Sequence, residues 1–431
     1  MSKEQKVTRR GFLRGVGAAA GGLVFPAIVP ASVFGQNAPS NRIVMGAIGT
    51  GSQGTGDMRG FLGKPGVQMV AVCDVDANHR DQAKRIVDQR YRNSDCKTYG
   101  DFRELLARGD LDAVQIAIPD HWHGIIYVAA ARAGVDVHGQ KPLARTIRES
   151  RAICDAVERY GIVWQTGSQQ RSDSRFRQAC ELVRNGRLGK IEKVEVGLPT
   201  GGAYPLQPVR PVPPGLDWDM WLGPAPWRPF CDFGDDGCHY QWRWIMDYSG
   251  GQMTDWAGHH IDIANWALDL DHTGPVEIEG AGEFPEDGLY NVPMRYHVEC
   301  KFANGIPMTI ANNTEIDQGV RWYGEKGWVF VRRGAIDANP KSLLDEVIGP
   351  DEIKLYVSRD HKQDFLNCVK SRREPIAPVE VGHRSISVAL LGEIAMLTGR
   401  KIKWDPDKEE ILNDPGASAL LSRAFREPWI M

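Results

Sequence analysis

An apolar, strand-like run from Asn41 to Ile48 breaks off into Gly49-Thr50-Gly51-Ser52-Gln53-Gly54 and then enters the helix-compatible stretch Thr55–Leu62. Few local patterns restrict a fold so strongly. Between a strand and a helix, the first glycine permits a tight turn, the second lets an anionic group approach the backbone, and the third allows helix and strand to pack closely. The helix N-terminus adds free N–H groups and positive potential, which suits phosphate. A second strand-like run, Val67–Cys73, ends at Asp74, twenty residues beyond Gly54, where a carboxylate can accept hydrogen bonds from both hydroxyls of a ribose. These features predict an α/β domain that binds a dinucleotide through Gly49, Gly51, Ser52, Gln53, Gly54 and Asp74. The Asp74 carboxylate repels a ribose phosphate, which favours NAD, while His79 and Arg80 keep NADP open.

The alternation continues through helices near Asn78–Arg92 and Asp101–Arg108 and a strand at Ala113–Ile118 that ends in Pro119-Asp120-His121-Trp122-His123. A helix over Gly124–Ala133 and a strand over Val135–Gly139 then deliver Gln140-Lys141-Pro142. Open parallel sheets bind ligands at the carboxyl ends of their strands. Pro119, His121, His123, Gln140 and Lys141 are therefore expected to border the nicotinamide, with Lys141 a candidate for chemistry. For His121 and His123 the alternative is that they only line the turn.

A length of 431 residues suits two domains better than one. From about Val163 the pattern changes to strand-like runs at Ile191–Gly197, Val276–Ala281, Tyr296–Phe302, Pro307–Asn312 and Trp328–Val331, which predicts an α+β domain on a mostly antiparallel sheet. The expected organisation is a Rossmann dinucleotide-binding domain over residues 41–162 followed by an α+β domain over residues 163–431. A formal charge of −3, without a basic stripe interleaved with aromatics, argues against nucleic acid. The eight cysteines show no zinc-module spacing, and Cys231 and Cys238 are open to two readings, a disulfide or two loop thiols.

Residues 1–35 read as a twin-arginine export signal: Thr8-Arg9-Arg10-Gly11-Phe12-Leu13-Arg14 precedes an apolar, glycine- and alanine-rich run from Gly15 to Ile28. That run is too short and too rich in glycine for a stable membrane span. Engagement with the export machinery, removal near Gly35 and a periplasmic or otherwise exported location are expected. Export in the folded state suits a tightly bound cofactor.

A helix over Thr254–Leu268 would place Asp255, His259, Asp262 and Trp266 on one face. Asp255 would then hold the His259 ring, and a histidine oriented by a carboxylate is a competent general acid or base. Asp255, His259, His260 and Asp262 also offer metal-ligand types at helical spacing, although no metal is expected. Arg171 and Arg175 can reach the cleft or pair on the surface. Trp242, in Tyr240-Gln241-Trp242-Arg243-Trp244, can stack on a sugar ring or pack in the core.

The Gly49–Gly54 loop, Asp74, the Pro119–His123 turn, Lys141-Pro142 and the segment from Gly250 to His260 together resemble the glucose-fructose oxidoreductase/inositol dehydrogenase/rhizopine catabolism family, Gfo/Idh/MocA. The resemblance implies a large open sheet in the second domain, oligomer contacts across one of its faces, and no metal requirement in most members. It makes Lys141 a substrate anchor and proton-transfer partner and His259 the acid/base. The twin arginines and the Asp255–His260 stretch look like the exported branch, which includes glucose-fructose oxidoreductase and NAD-dependent α-N-acetylgalactosaminidases. Gln140 departs from the pattern, which has glutamate before the lysine.

The resulting expectation is an NAD(P)-dependent oxidoreductase acting on a sugar, polyol or glycoside, with Lys141, Arg171, Arg175, Trp242, Asp255 and His259 contacting the substrate. One alternative is a glycoside hydrolase or lyase that oxidises its substrate transiently and cleaves by elimination. Another is a non-catalytic sugar-binding protein of the same fold. The identity of the substrate is not written in the sequence.

Overall fold

The computed structural model describes residues 41–235 and 237–431, so the export signal expected at residues 1–35 lies outside the described residues. The first sheet contains β1 (Ile43–Ile48), β2 (Val67–Cys73), β3 (Lys97–Tyr99), β4 (Ala113–Ile116), β5 (Asp136–Gly139) and β6 (Trp164–Thr166), in the order β3-β2-β1-β4-β5-β6. All neighbours are parallel. Helices cover both faces, which is why β1, β2 and β4 read as nearly continuous apolar runs instead of alternating ones. The order reverses between β1 and β4, and a crevice opens there above the strand ends.

The parallel sheet extends past Ile162, because β6 joins β5 through Val137–Trp164 and its neighbours. The Asp136 carboxylate accepts a hydrogen bond from the Val163 N–H at 2.7 Å and fixes that junction. The C-terminal third also returns to the nucleotide domain. The helix His361–Ser371 contributes Phe365, Leu366, Cys368 and Val369 to the core formed by β1 and β2. The helix Val379–Thr398 bridges the domains, and Arg145 forms a two-pronged ion pair with its Glu393, at 2.8 and 3.0 Å.

The second sheet has nine strands. They are β7 (Ile191–Leu198), β8 (Pro275–Glu283), β9 (Arg295–Phe302), β10 (Pro307–Asn312), β11 (Gly319–Gly324), β12 (Gly327–Arg332), β13 (Ala335–Asn339), β14 (Ile402–Asp405) and β15 (Glu410–Ile411). Their order is β13-β12-β11-β7-β10-β9-β8-β14-β15, antiparallel except for the β7–β10 pair. Along β9, Tyr296, Val298, Cys300 and Phe302 are buried while His297, Glu299 and Lys301 face away, the period of two that marks a sheet with one face on the core.

The expected helix Thr254–Leu268 is not continuous. An α-helical segment Gly251–Trp256 passes into a π-helical turn, Ala257–Ile261, and resumes as α-helix at Asp262–Leu268. A π turn takes in an extra residue and rotates the downstream helix relative to the upstream one, so the four-residue spacing from Asp255 to His259 no longer puts them on one face. Cys231 and Cys238 are free thiols buried in a satellite core with Trp218 and Trp221. No helix among the described residues is long and apolar enough to cross a membrane.

Candidate active site

A cavity of about 150 Å³ runs along the crevice, from Asp74 and His79 past the glycine loop to Lys141 and Asp255. Ser52, Gln53 and Pro119 lie on its wall. The three glycines divide the work as the spacing requires. A Cβ at Gly49, where φ is +77°, would lie 2.1 Å from the Ala117 carbonyl oxygen, and one at Gly54 would lie 2.0 Å from the Gly49 carbonyl oxygen. At Gly51 nothing among the described residues comes nearer than the His79 ring, at 3.8 Å. The open side of Gly51 lies at the start of the helix Ser52–Leu62, which has neither a side-chain cap nor an acidic residue in its first turn. The uncapped N–H groups and the cradle fit a nucleotide pyrophosphate.

The Asp74 carboxylate is tethered to the glycine loop: its Oδ2 accepts from the Thr50 N–H at 2.6 Å and from Thr50 Oγ1 at 3.2 Å, and its Oδ1 accepts from the Asp76 N–H at 2.9 Å. Arg80 donates to the Asp74 backbone carbonyl at 2.9 Å.

The other end of the cavity is ionic. Lys141 Nζ donates to Asp255 Oδ1 at 2.9 Å and to the Asp255 carbonyl at 3.1 Å. Arg243 Nε stands 3.4 Å from the same carboxylate oxygen, with its guanidinium over the Trp242 ring at 4.4 Å. Burial pushes the Asp255 carboxyl upward, but Lys141 and then Arg243 hold it below the usual carboxylate range. Gly258 lets the π turn approach, since a Cβ there would lie 2.8 Å from Lys141 Cβ.

Asp120 faces the same space in the opposite electrostatic condition. Burial raises its pKa to about 7, with the Asp255 charge adding to the effect, although Ser249 Oγ donates to its Oδ2 at 2.6 Å. Two carboxyl groups on one wall are thus driven apart, one ionised and one able to exchange a proton near neutrality. Sequence reasoning selects neither Asp120 nor Arg243, although each is adjacent to a residue that it does select. The signal that could have found them is a charged side chain beside a strand-end histidine and beside a cleft tryptophan.

His259 is buried beside Lys141 but is not on the cavity wall. Asp255 does not hold its ring, contrary to expectation, because the π turn swings the two apart and Lys141 takes the carboxylate. His259 Nδ1 has no hydrogen-bond partner among the described residues, and burial, reinforced by the Lys141 and Arg333 charges, keeps the ring neutral. The alternative metal set also fails to converge, since Asp255 is bound to Lys141 while Asp262 is bound to Arg171.

Arg171 does not reach the cavity. It is 2% exposed, donating to Asp262 at 2.8 Å and to Asp271 at 2.7 Å, and it ties the α-helical continuation of the π turn to the second domain. Trp266 packs against this guanidinium at 5.0 Å, so Asp262 and Trp266 serve a structural ion cluster. Arg175 pairs with Asp173 at 2.7 Å on the surface. Trp242 does both things allowed to it, packing in the satellite core and lining the cavity.

His121 and His123 also leave the cofactor-contact set. His121 is fully buried with Nε2 donating to the Trp221 carbonyl at 3.0 Å, and burial lowers its pKa to about 3. The His123 ring spans the Pro142 carbonyl at 2.7 Å and the Ile118 carbonyl at 3.0 Å. It fastens together the two strand-end turns that carry Lys141 and Pro119.

Gln140 has a specific partner. Its Nε2 donates to Asp57 Oδ2 at 2.7 Å, and Lys362 Nζ donates to Asp57 Oδ1 at 2.8 Å. A glutamate at 140 would face a second carboxylate, so the amide is the side chain that matches Asp57.

Residues 43–168 match the NAD-binding Rossmann fold of the Gfo/Idh/MocA oxidoreductases, and residues 174–431 match the C-terminal alpha/beta domain of the same family. The uncharacterized oxidoreductase YrbE of Bacillus subtilis is 24% identical over 296 residues, 67% of this chain and 73% of that one. A glycosyl hydrolase family 109 protein from Shewanella sp. strain MR-4 is 33% identical over 216 residues, 46% of this chain and 44% of its own length. The WlbA dehydrogenase from Bordetella pertussis, solved with NADH and UDP-GlcNAcA, superposes with a TM-score of 0.62 at 18% identity, covering 84% of this chain and 98% of that one. An aldose-aldose oxidoreductase from Caulobacter crescentus superposes with a TM-score of 0.61 at 19% identity, covering 84% and 99%. At these identities the likeness to solved structures is one of fold.

Proposed function

This chain belongs to the Gfo/Idh/MocA oxidoreductase family, and from that premise we propose that it moves a hydride between NAD, in preference to NADP, and a hydroxyl or keto carbon of a sugar, polyol or glycoside. The observation that carries the proposal is the cavity joining a phosphate cradle and Asp74 at one end to Lys141, Asp255 and Asp120 at the other. Gly51, the helix start at Ser52 and Asp74 would hold the nucleotide. A bound oxidised nicotinamide supplies the hydride acceptor.

The chain's own residues position the substrate and handle protons. Lys141, held by Asp255, is placed to bind a substrate oxygen and, as an ammonium, to protonate it as a keto carbon takes up hydride; in the oxidising direction the neutral amine takes the hydroxyl proton. Arg243 shares the Asp255 carboxylate and keeps it anionic. The Trp242 face offers apolar surface to the C–H side of a sugar ring. His259, buried beside Lys141 and kept neutral, backs the lysine instead of taking its proton. The twin arginines support export of the folded protein with its cofactor already bound.

Transient oxidation followed by glycosidic cleavage is the second reading, favoured by Asp120. Such chemistry needs another group that takes or gives a proton, and a buried carboxyl with a pKa of about 7 on the cavity wall meets that need. The likeness to the family 109 hydrolase supports the same reading. Incubating the NAD-loaded protein with free sugars, polyols and chromogenic glycosides tests both. Net NADH from a free sugar supports the dehydrogenase; aglycone release without net NADH supports redox-assisted cleavage; neither product from a panel spanning these classes contradicts both.

A further inference from the structure

We propose that Asp76, His79 and His239 form a binding site for a divalent transition-metal ion, with Zn²⁺ the best match, at the Asp74 end of the cavity. This inference stands apart from the redox reading. One ligand atom from each of the three side chains lies within 4.8 Å of the others. Asp76 Oδ2 is 3.0 Å from His239 Nε2, and the His79 and His239 rings are 4.3 Å apart at their centroids. A tetrahedral zinc ion with bonds of about 2.0–2.2 Å holds its ligand atoms roughly 3.4 Å apart, so small side-chain adjustments close the site. His79 Nδ1 is buried without a hydrogen-bond partner among the described residues, and its nearest carboxylate oxygen is Asp74 Oδ2 at 3.8 Å.

Another carboxylate–histidine group among the described residues, Glu380, His383 and Glu409, shows what a filled site looks like. There the Arg151 guanidinium contacts Glu380 at 2.8 Å and Glu409 at 2.6 Å and occupies the cation position. Among the described residues, no guanidinium bonds the Asp76 carboxylate.

The ligands come from both sides of the cavity mouth. Asp76 and His79 open the helix Ala77–Tyr91 of the nucleotide domain, while His239 sits on the short helix Cys238–Gln241 within a long loop of the second domain. That loop already pairs with the nucleotide domain through Ala77 N–H to the Gly215 carbonyl, at 2.9 Å, and Asp217 N–H to the Val75 carbonyl, at 3.0 Å. An ion here would staple the loop down. Both histidines line the cavity, which leaves a coordination position open to water or to an oxygen of a bound ligand.

The test uses the full chain, freed of metal by a chelator and dialysed, then titrated with Zn²⁺ in competition with a chromophoric chelator. One saturable equivalent per chain is expected, weakened at least about tenfold in His79→Ala and in His239→Ala and unchanged in His272→Ala, an exposed histidine elsewhere. Titration of the unaltered protein with Co²⁺ needs no variant, and should give the intense visible bands of a four-coordinate ion, bleached by Zn²⁺. Absence of a saturable equivalent, weak six-coordinate Co²⁺ bands, or full affinity in both histidine variants would overturn the proposal. It is equally overturned if the variants lose NAD affinity while the unaltered protein binds no ion, since the pair is then a nucleotide contact.

Discussion

The two ends of the cavity are built on opposite plans. The nucleotide end comes from one stretch of chain, Gly49 to Asp74, and works by leaving room: bare backbone at Gly51, uncapped N–H groups and one tethered carboxylate. The reaction end draws Asp120, Lys141, Arg243 and Asp255 from four separate segments and packs them until their charges satisfy one another. A ligand completes the first end, whereas a substrate must compete for groups already engaged at the second. Substitutions at the two ends should therefore fail differently.

The largest effect is expected from Lys141→Met, which removes the proton partner and leaves Asp255 with Arg243. Turnover should fall by about 10²–10⁴-fold while the dissociation constant for NAD changes little. Steady-state kinetics and nucleotide titration check this pair of results, and a parallel loss of NAD binding would mean that the two ends are one unit.

The glycines sharpen the contrast within the nucleotide end. Gly54→Ala drives a Cβ to 2.0 Å from a backbone oxygen and should cost about 1–3 kcal/mol of stability. Gly51→Ala meets nothing nearer than the His79 ring at 3.8 Å, so thermal unfolding should be unchanged while NAD binding weakens. Calorimetry with and without NAD separates them.

Gln140→Glu should destabilise by about 1–3 kcal/mol through repulsion with Asp57, more at pH 8 than at pH 5, and Asp57→Asn should relieve it. Urea unfolding of the single and double variants at both pH values is the measurement.

The smallest effect is a pH trend. Because the folded Asp120 retains its proton up to about pH 7 and an unfolded aspartate releases it near 3.8, the native state holds more protons in that window and stability falls as pH rises through it. Between pH 6 and 8 the fall should be roughly 1 kcal/mol. Asp120→Asn should abolish that contribution, seen as a difference between variant and parent that grows with pH. A buried histidine acts in the opposite sense. His138, lowered to about 4 by burial, takes up a proton more readily when unfolded, so its contribution is lost on acidification below about pH 6.5.

The difference between the ends also explains what is legible in the sequence. β2 and β10 begin and end where the residue pattern places them, and the strand, glycine turn and helix around Gly49–Gly54 are legible, because turns, strand alternation and glycine requirements are local. The sheet strand β11 is hidden from a local pattern, since its glycine termini and polar residues mask the buried Val320 and Trp322. The π turn is equally invisible because α and π turns favour the same side chains. Its close neighbour Lys141, packed against Gly258, lies far away in sequence. Arg171 and Gln140 teach the same lesson. Their roles are set by Asp262, Asp271 and Asp57, partners that no local window contains.

The central claim is a nicotinamide cofactor held between the glycine loop and Lys141. The most direct measurement is to purify the full chain without added nucleotide, denature it, and identify released small molecules by chromatography with mass spectrometry, followed by titration of any nucleotide-free protein with NAD and NADP. Close to one NAD per chain, or saturable binding of added NAD tighter than that of NADP, is the expected result. A folded protein that releases no dinucleotide and binds neither form would contradict the claim.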